Sequence, residues 1–268
     1  MKTAALIDNL WNEYTKITPS AQKIHDLFST NGEFKNDHIA LRTFNDPRIC
    51  IDAVAAAFID CGYEEVMTYE FPEKKLEAKH YQNKNDDKAP LVFISQLMLE
   101  QCSTELECII NNALNSVDPS IFRTNLATMG RLWENVSYEL YQTLRAESEY
   151  AAWTYVYGVR VNHFTVFVNS LEQFETIQDV NEFVKDSGYP LNISGGEVKG
   201  SPDMLLEQSS TLADIQEMNF EEGSYSIPTC FYEFARRFEN EKGEMFMGFH
   251  ADSANKIFES TDLNLQMN

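Results

Sequence analysis

Two short segments of the chain write nearly the same strand twice. NDHIALRTF, residues 36–44, and VNHFTVFVN, residues 161–169, each reach a histidine early and then alternate. Side chains two apart on a strand share a face. His38, Ala40 and Arg42 therefore share one face of the first segment, with Ile39 and Leu41 on the other. His163, Thr165 and Phe167 share one face of the second, with Phe164, Val166 and Val168 opposite. Each strand offers an apolar face for burial and an imidazole on the other. A third candidate is Glu233, in FYEFARRF. A carboxylate among Phe231, Tyr232 and Phe234 is costly to bury without a partner. Two imidazoles and one carboxylate with open positions form the facial set of non-haem Fe(II) oxygenases, and the same donors suit Mn(II) and Zn(II). The donor types alone do not choose the metal. Each residue also has an ordinary structural role open to it: a core hydrogen bond for the histidines, and for Glu233 an ion pair with Arg236, Arg237 or Arg42.

Arg42 lies four residues from His38 on the same face, about 13 Å along a strand at about 3.3 Å per residue. A guanidinium fork matches a carboxylate. Arg42 is thus a candidate catalytic and substrate-binding residue, holding an anion whose other end meets the metal; a structural ion pair is the alternative. Gln96, in LVFISQL, follows His38 by 58 residues, much as Glu233 follows His163 by 70. Gln96 or Ser95 would thus stand where a fourth ligand could be; a neutral amide is a weak ligand, so Gln96 is read as supporting the ligands or facing the substrate, with Arg237 or Gln96 assisting Arg42. His80 stands on a strand that could line the same pocket. His25 falls on a helix face and His250 in a late turn. NISGGEVKG, residues 192–200, lacks the spacing of a dinucleotide loop and reads as a hairpin. No G-x-S-x-G elbow is present.

The elements that must position these residues follow from periodicity and punctuation. Residues 3–30 read as helices divided at Pro19. A strand over 37–44 leads to an alanine-rich helix over 50–61, stopped by Gly62, and then to strands over 63–71, 75–82 and 91–97. Residues 98–157 form a helical block. A strand over 161–169 precedes a helix running from Ser170 to near Gly188. Strands follow over 189–199, 203–212 and 229–238. The order strand, helix, three strands occurs twice, over roughly 36–97 and 160–240. The expected fold class is α+β: one domain over 1–268, with the two units forming a curved central sheet around a metal site and 98–157 as a helical insert.

The totals constrain partners. The chain has 268 residues, 43% of them hydrophobic, and a formal net charge of −21. Such a charge repels nucleic acid and anionic membranes. The opening segment MKTAALIDNLWNEYTKI has no long apolar run, so no signal peptide or membrane span is expected. Five cysteines without a C-x-x-C pair fit a reduced, cytoplasmic protein better than a disulfide scaffold.

A pair of βαβββ units sharing one sheet resembles the vicinal oxygen chelate architecture. DHIALRTF, YQTLRAESEYAAWTYVYGVRVNHFTVFVN (141–169), FYEFARRF and NKIFEST (255–261) resemble the DUF1338 family, over about residues 20 to 261. That family includes the 2-oxoadipate dioxygenase/decarboxylases, or hydroxyglutarate synthases, of lysine catabolism. The resemblance implies Fe(II) held by His38, His163 and Glu233, with Arg42 at the substrate. It implies that 2-oxoadipate and O2 become 2-hydroxyglutarate and CO2. Two rivals share the residues: a metal-dependent isomerase, lyase or hydrolase of the same architecture, which consumes no O2, and a small-molecule binding module without turnover.

Overall fold

The computed structural model describes residues 3–30 and 32–261. In chain order the helices and strands are α1 (Thr3–Ile17), α2 (Pro19–Ser29), β1 (Asn36–Phe44), α3 (Ile51–Ile59), β2 (Tyr63–Phe71), β3 (Leu76–Asn83) and β4 (Leu91–Leu97). Then come α4 (Thr104–Asn115), α5 (Tyr138–Glu147), α6 (Glu149–Tyr157), β5 (Arg160–Phe167), α7 (Ile177–Asp186), β6 (Lys199–Ser201) and β7 (Leu206–Ser210). β8 (Ile215–Phe220), β9 (Gly223–Pro228), β10 (Phe231–Arg237) and α8 (Ala251–Phe258) complete the set. Short 3-10 turns join several of them.

Eight strands form one sheet in the order β2-β3-β4-β1-β5-β10-β7-β6. β1 runs parallel to β4, and β5 runs parallel to β10. Among the described strands, the two halves of the sheet are paired where β1 lies antiparallel to β5. The arrangement is the expected pair of βαβββ units, and the curved sheet is of vicinal oxygen chelate type. The apolar alternation noted above explains the layering. Phe164 points away from His163 and packs edge-on against Trp11 of α1, ring centroids 5.0 Å apart. Leu6, Leu10 and Tyr14, spaced by four, are the buried stripe of α1. The Tyr14 hydroxyl donates to the Phe231 carbonyl at 2.6 Å, tying the helix to β10. On the opposite, concave face the sheet is covered by α8 and by the aromatic residues of α6.

Four expectations need correction. The helix expected from Ser170 begins at Ile177, because Thr176 and Asp179 form a reciprocal capping box there. The segment 189–199 is a loop with one bridge, Leu191 to Thr211, and not a strand or hairpin; Gly195 and Gly196, at φ +69° and +102°, turn it instead. The hairpin β8–β9 interrupts the second unit before its last strand. His250 does not end in a turn: it is the N-cap of α8, and its Nε2 contacts the Met204 carbonyl at 2.7 Å.

Candidate metal centre

The bond between the two halves is irregular, and the irregularity builds the site. Along β1, the three-residue step from Asn36 to Ile39 faces the two-residue step of β5 from Val166 to Phe164. Along β5, the two-residue step from His163 to Val161 faces the single step from Ala40 to Leu41. Each strand thus carries one extra residue beside its histidine: a bulge at Asp37–His38, and a second at Asn162. A bulge breaks the alternation and re-aims a side chain. Asp37 and Asn162, which a regular strand would turn to the far face, instead reach the histidine that follows each of them. His38 Nδ1–H donates to Asp37 Oδ1 at 2.7 Å. His163 Nδ1–H donates to Asn162 Oδ1 at 3.2 Å. Holding Nδ1 this way fixes the tautomer and leaves each Nε2 lone pair facing inward.

Both Nε2 atoms face Glu233. His163 Nε2 lies 3.0 Å from Glu233 Oε2, and His38 Nε2 lies 3.6 Å from Oε1. The three ligand atoms all fall within 4.8 Å of one another, and all three residues are buried. Gln208 Nε2 donates to Glu233 Oε1 at 2.7 Å, while Oε2 has no hydrogen-bond donor. The Thr165 hydroxyl donates to His38 Nε2 at 3.1 Å, the same lone pair a cation would use; a hydroxyl can rotate away without backbone movement. Burial pushes the His163 imidazole down, so it stays neutral despite the Glu233 charge beside it. Burial also opposes the Glu233 charge; positive charge at the His163 and His38 positions, together with the Gln208 amide, outweighs it and holds the carboxyl below the usual range. A neutral imidazole lone pair and a bare carboxylate oxygen 3.0 Å apart repel unless a cation lies between them. The donor set and this orphaned oxygen therefore fit a divalent metal.

The support behind Asp37 is a second buried ion pair. Arg237 Nε and its Nη2 reach the Asp37 carboxylate at 2.7 and 2.9 Å, and its Nη1 donates to the carbonyls of Phe246 and Gly248. Burial would raise the Asp37 carboxyl, but Arg237 and His38 hold it at about 2. Arg237 was expected at the substrate; its donors are instead engaged in bracing the His38 support. Gln96 also departs from expectation. Along β4 the residues facing the site are Phe93 and Ser95, opposite Ala40 and Arg42 of β1. Gln96 points to the other face, where its Oε1 accepts from Ile51 N–H and caps α3 at 3.0 Å. A comparison of spacings placed it three residues beyond Phe93, the register counterpart of Glu233, and in a strand an odd offset reverses the face. His80, buried on β3, contacts the Tyr69 hydroxyl through Nδ1 at 2.8 Å and lies outside the ligand set. His25 lies half-exposed beside Trp11.

Arg42 is 2% exposed. Its guanidinium lies 5.0, 5.1 and 5.7 Å from the ring centroids of Tyr150, Trp153 and Phe258. Among the described residues its donors reach neutral acceptors, Thr261 Oγ1 at 3.2 Å and the Phe258 carbonyl at 3.4 Å, and its Nε has none. Burial lowers it to about 10, so it stays cationic at neutral pH. A buried cation held by aromatic faces and long neutral contacts is a place for an anion.

Comparison with known proteins gives the family. The family model described as 2-oxoadipate dioxygenase/decarboxylase matches residues 2–131 and 124–246. A curated rice protein named 2-oxoadipate dioxygenase/decarboxylase, chloroplastic/amyloplastic, is 36% identical, over 96% of this chain and 78% of its own length. The crystal structure of the rice (Oryza sativa) hydroxyglutarate synthase in complex with 2-oxoadipate is 34% identical, with a TM-score of 0.91, covering 98% of this chain and 93% of that one. A crystal structure from Shewanella frigidimarina NCIMB 400, described as that of a candidate hydrolase, is 48% identical, with a TM-score of 0.89 over 93% and 98% of the two chains. With its paired-unit sheet and the family match across both units, the chain belongs to the 2-oxoadipate dioxygenase/decarboxylase family, the DUF1338 proteins.

Proposed function

We propose that the protein is an Fe(II)-dependent dioxygenase/decarboxylase that converts a 2-oxo dicarboxylic acid, with 2-oxoadipate the leading candidate, and O2 into the 2-hydroxy acid one carbon shorter and CO2. The observation that carries the reading is the pairing of a metal-ready triad with Arg42, a buried cation on the same strand face whose hydrogen bonds among the described residues go to neutral oxygens. His38, His163 and Glu233 would hold the metal. When bound, it supplies the redox chemistry with O2 that protein side chains lack. The chain itself does the rest. Asp37 and Asn162 hold protons at the two Nδ1 atoms and keep both imidazoles in the ligating tautomer. Gln208 orients Glu233. Arg42 binds the distal carboxylate by charge-assisted hydrogen bonds, which sets the direction in which the diacid lies. Phe93, Phe249 and Ile257 line the cavity at the triad and exclude water from it.

The test is oxygen consumption by anaerobically prepared, Fe(II)-loaded protein given 2-oxoadipate, with CO2 and 2-hydroxyglutarate assayed together. Equal amounts of O2 used and both products formed support the reading. In Arg42→Ala the metal stays bound and kcat/KM for the diacid falls by about 10- to 100-fold, the worth of hydrogen bonds to a charged group. The description of the Shewanella relative keeps hydrolysis as the rival: turnover of an ester or amide without O2 uptake, by protein holding its metal, would replace the present reading.

A further inference from the structure

The concave face holds two cavities, not one. The first, at His38, His163 and Glu233, amounts to about 20 Å³, room for little more than one water molecule. The second, about 260 Å³, is lined by Arg42, Tyr150, Lys74 and Lys75 and also by Glu73, Glu147, Glu149 and Glu259, the last three of which are ion-paired with Lys75, Arg145, and Lys74 and Lys256. A diacid that meets the triad at one end and Arg42 at the other must occupy both. Among the described residues one side chain lines both cavities: Phe258, in the last turn of α8. Its ring stands over the Arg42 guanidinium and edge-on to Phe71, with centroids 5.4 Å apart. It is half-buried, unlike the fully enclosed phenylalanines of the core.

The turn that carries Phe258 is fastened to the cation it covers. Arg42 donates to the Phe258 carbonyl and to Thr261 Oγ1, both at long distance and both to neutral oxygens. A carboxylate makes shorter and roughly twofold stronger bonds to a guanidinium than a neutral acceptor does. An arriving distal carboxylate therefore competes for the donors that hold the Phe258 turn. We propose that Phe258 is a movable partition between the metal cavity and the Arg42 cavity, and that its ring sets the chain length of the diacid accepted. This rests on the reading above, that a 2-oxo diacid bridges the triad and Arg42. Substrate binding then exchanges two weak neutral contacts of Arg42 for a charge-assisted pair, and the ring turns aside only far enough for the chain that passes it.

The experiment is equilibrium binding of 2-oxoglutarate, 2-oxoadipate and 2-oxopimelate, measured anaerobically by calorimetry on full-length Zn(II)-loaded protein, so that no turnover is required. Phe258→Ala is expected to shift the affinity ratio of the seven-carbon to the six-carbon acid about tenfold toward the longer, the usual worth of one methylene in a fitted pocket. Phe258→Trp is expected to shift the preference toward the five-carbon acid. If the acids bind but neither variant moves the ratios by more than about twofold, below the worth of one methylene, the partition is wrong while the bridging reading stands. If no diacid binds wild type or variants that hold Zn(II), the bridging reading itself falls, and the partition with it.

Discussion

The two halves of the sheet are built on one plan and furnished oppositely. The register gives the counterparts. His38 pairs with Leu91 in the first half, as His163 pairs with Phe231 in the second. Two residues further along the outer strand stand Phe93 and Glu233. One strand beyond them stand His80, opposite Phe93, and Ser210, opposite Glu233. At the next level Ala78 corresponds to Gln208, and on the edge strands Tyr69 corresponds to Lys199. The first half therefore faces the site with aromatic rings, and the second with a carboxylate, a hydroxyl, an amide and an ammonium. A symmetric site would offer two histidines and two carboxylates and close around its metal. A phenyl ring in place of one carboxylate leaves three candidate ligands, walled on one side by apolar surface. The lesson is that the division of labour arose on the side chains while the backbone plan stayed common to both units.

The strongest way to break the comparison is to exchange its central pair. Phe93→Glu supplies the missing fourth ligand and fills an open position. Oxygen consumption should fall by roughly 100-fold or more while metal content by mass spectrometry stays at one per chain. The reciprocal change, Glu233→Phe, should leave the purified protein without metal. Retention of full activity by Phe93→Glu would show that the ring's position is not an open coordination side.

The two histidine supports differ in charge, and this predicts a graded effect. Asp37→Asn weakens metal affinity by about 10- to 100-fold and leaves Arg237 buried without its carboxylate, costing roughly 3–5 kcal/mol of stability. Asn162→Ala removes only a neutral hydrogen bond and should cost about 1 kcal/mol. Metal titration and denaturant unfolding on both variants check the order; equal losses would mean that the Asp37–Arg237 pair adds nothing beyond a neutral support.

The smallest effect sharpens the polar half. Lys199 is 4% exposed and donates to the Asn192 carbonyl at 2.6 Å, with no carboxylate of the described residues within ion-pair distance. Burial lowers its ammonium to about 8. Between about pH 8 and 10 the unfolded chain then holds more protons at this site than the folded one, so its contribution to stability rises with pH through that window. Lys199→Met should be more stable than wild type at pH 7 by roughly 1–2 kcal/mol, and the gap should close by pH 10. Unfolding midpoints at both pH values decide it, and a gap that stays constant with pH would remove Lys199 as its source.

Much of this was legible in the residues. The alternation in NDHIALRTF and VNHFTVFVN gave the faces of β1 and β5, and the repeat gave the pairing of the units, because period-two burial is local information. The aspartate and asparagine before the two histidines were visible too, but a regular strand turns them away. Only the bulges, which depend on pairing between residues more than a hundred positions apart, bring them back. The same dependence explains Gln96: counting along the chain cannot find the strand phase that β4 takes from β1, and one residue is enough to reverse a side chain. Arg237 read as a free cation because its partner, Asp37, lies 200 residues away. The role of α8 was hidden for a similar reason. Its apolar residues gain meaning only from the cavity they close.

The β1–β5 bond has a mechanical consequence. Among the described residues it is the one strand pairing between the units, and both of its bulges fall beside the histidines, where ladder bonds are interrupted. The ligands are divided across it: His38 belongs to one unit, His163 and Glu233 to the other. An ion bound there is a rivet through a seam at its weakest stretch. Its affinity adds directly to the cohesion of the halves, by about 4 kcal/mol when the free ion stands a thousandfold above its dissociation constant. Thermal unfolding followed along a metal titration would then read how tightly the two units are fastened, and a chelator would loosen the molecule before it unfolded it.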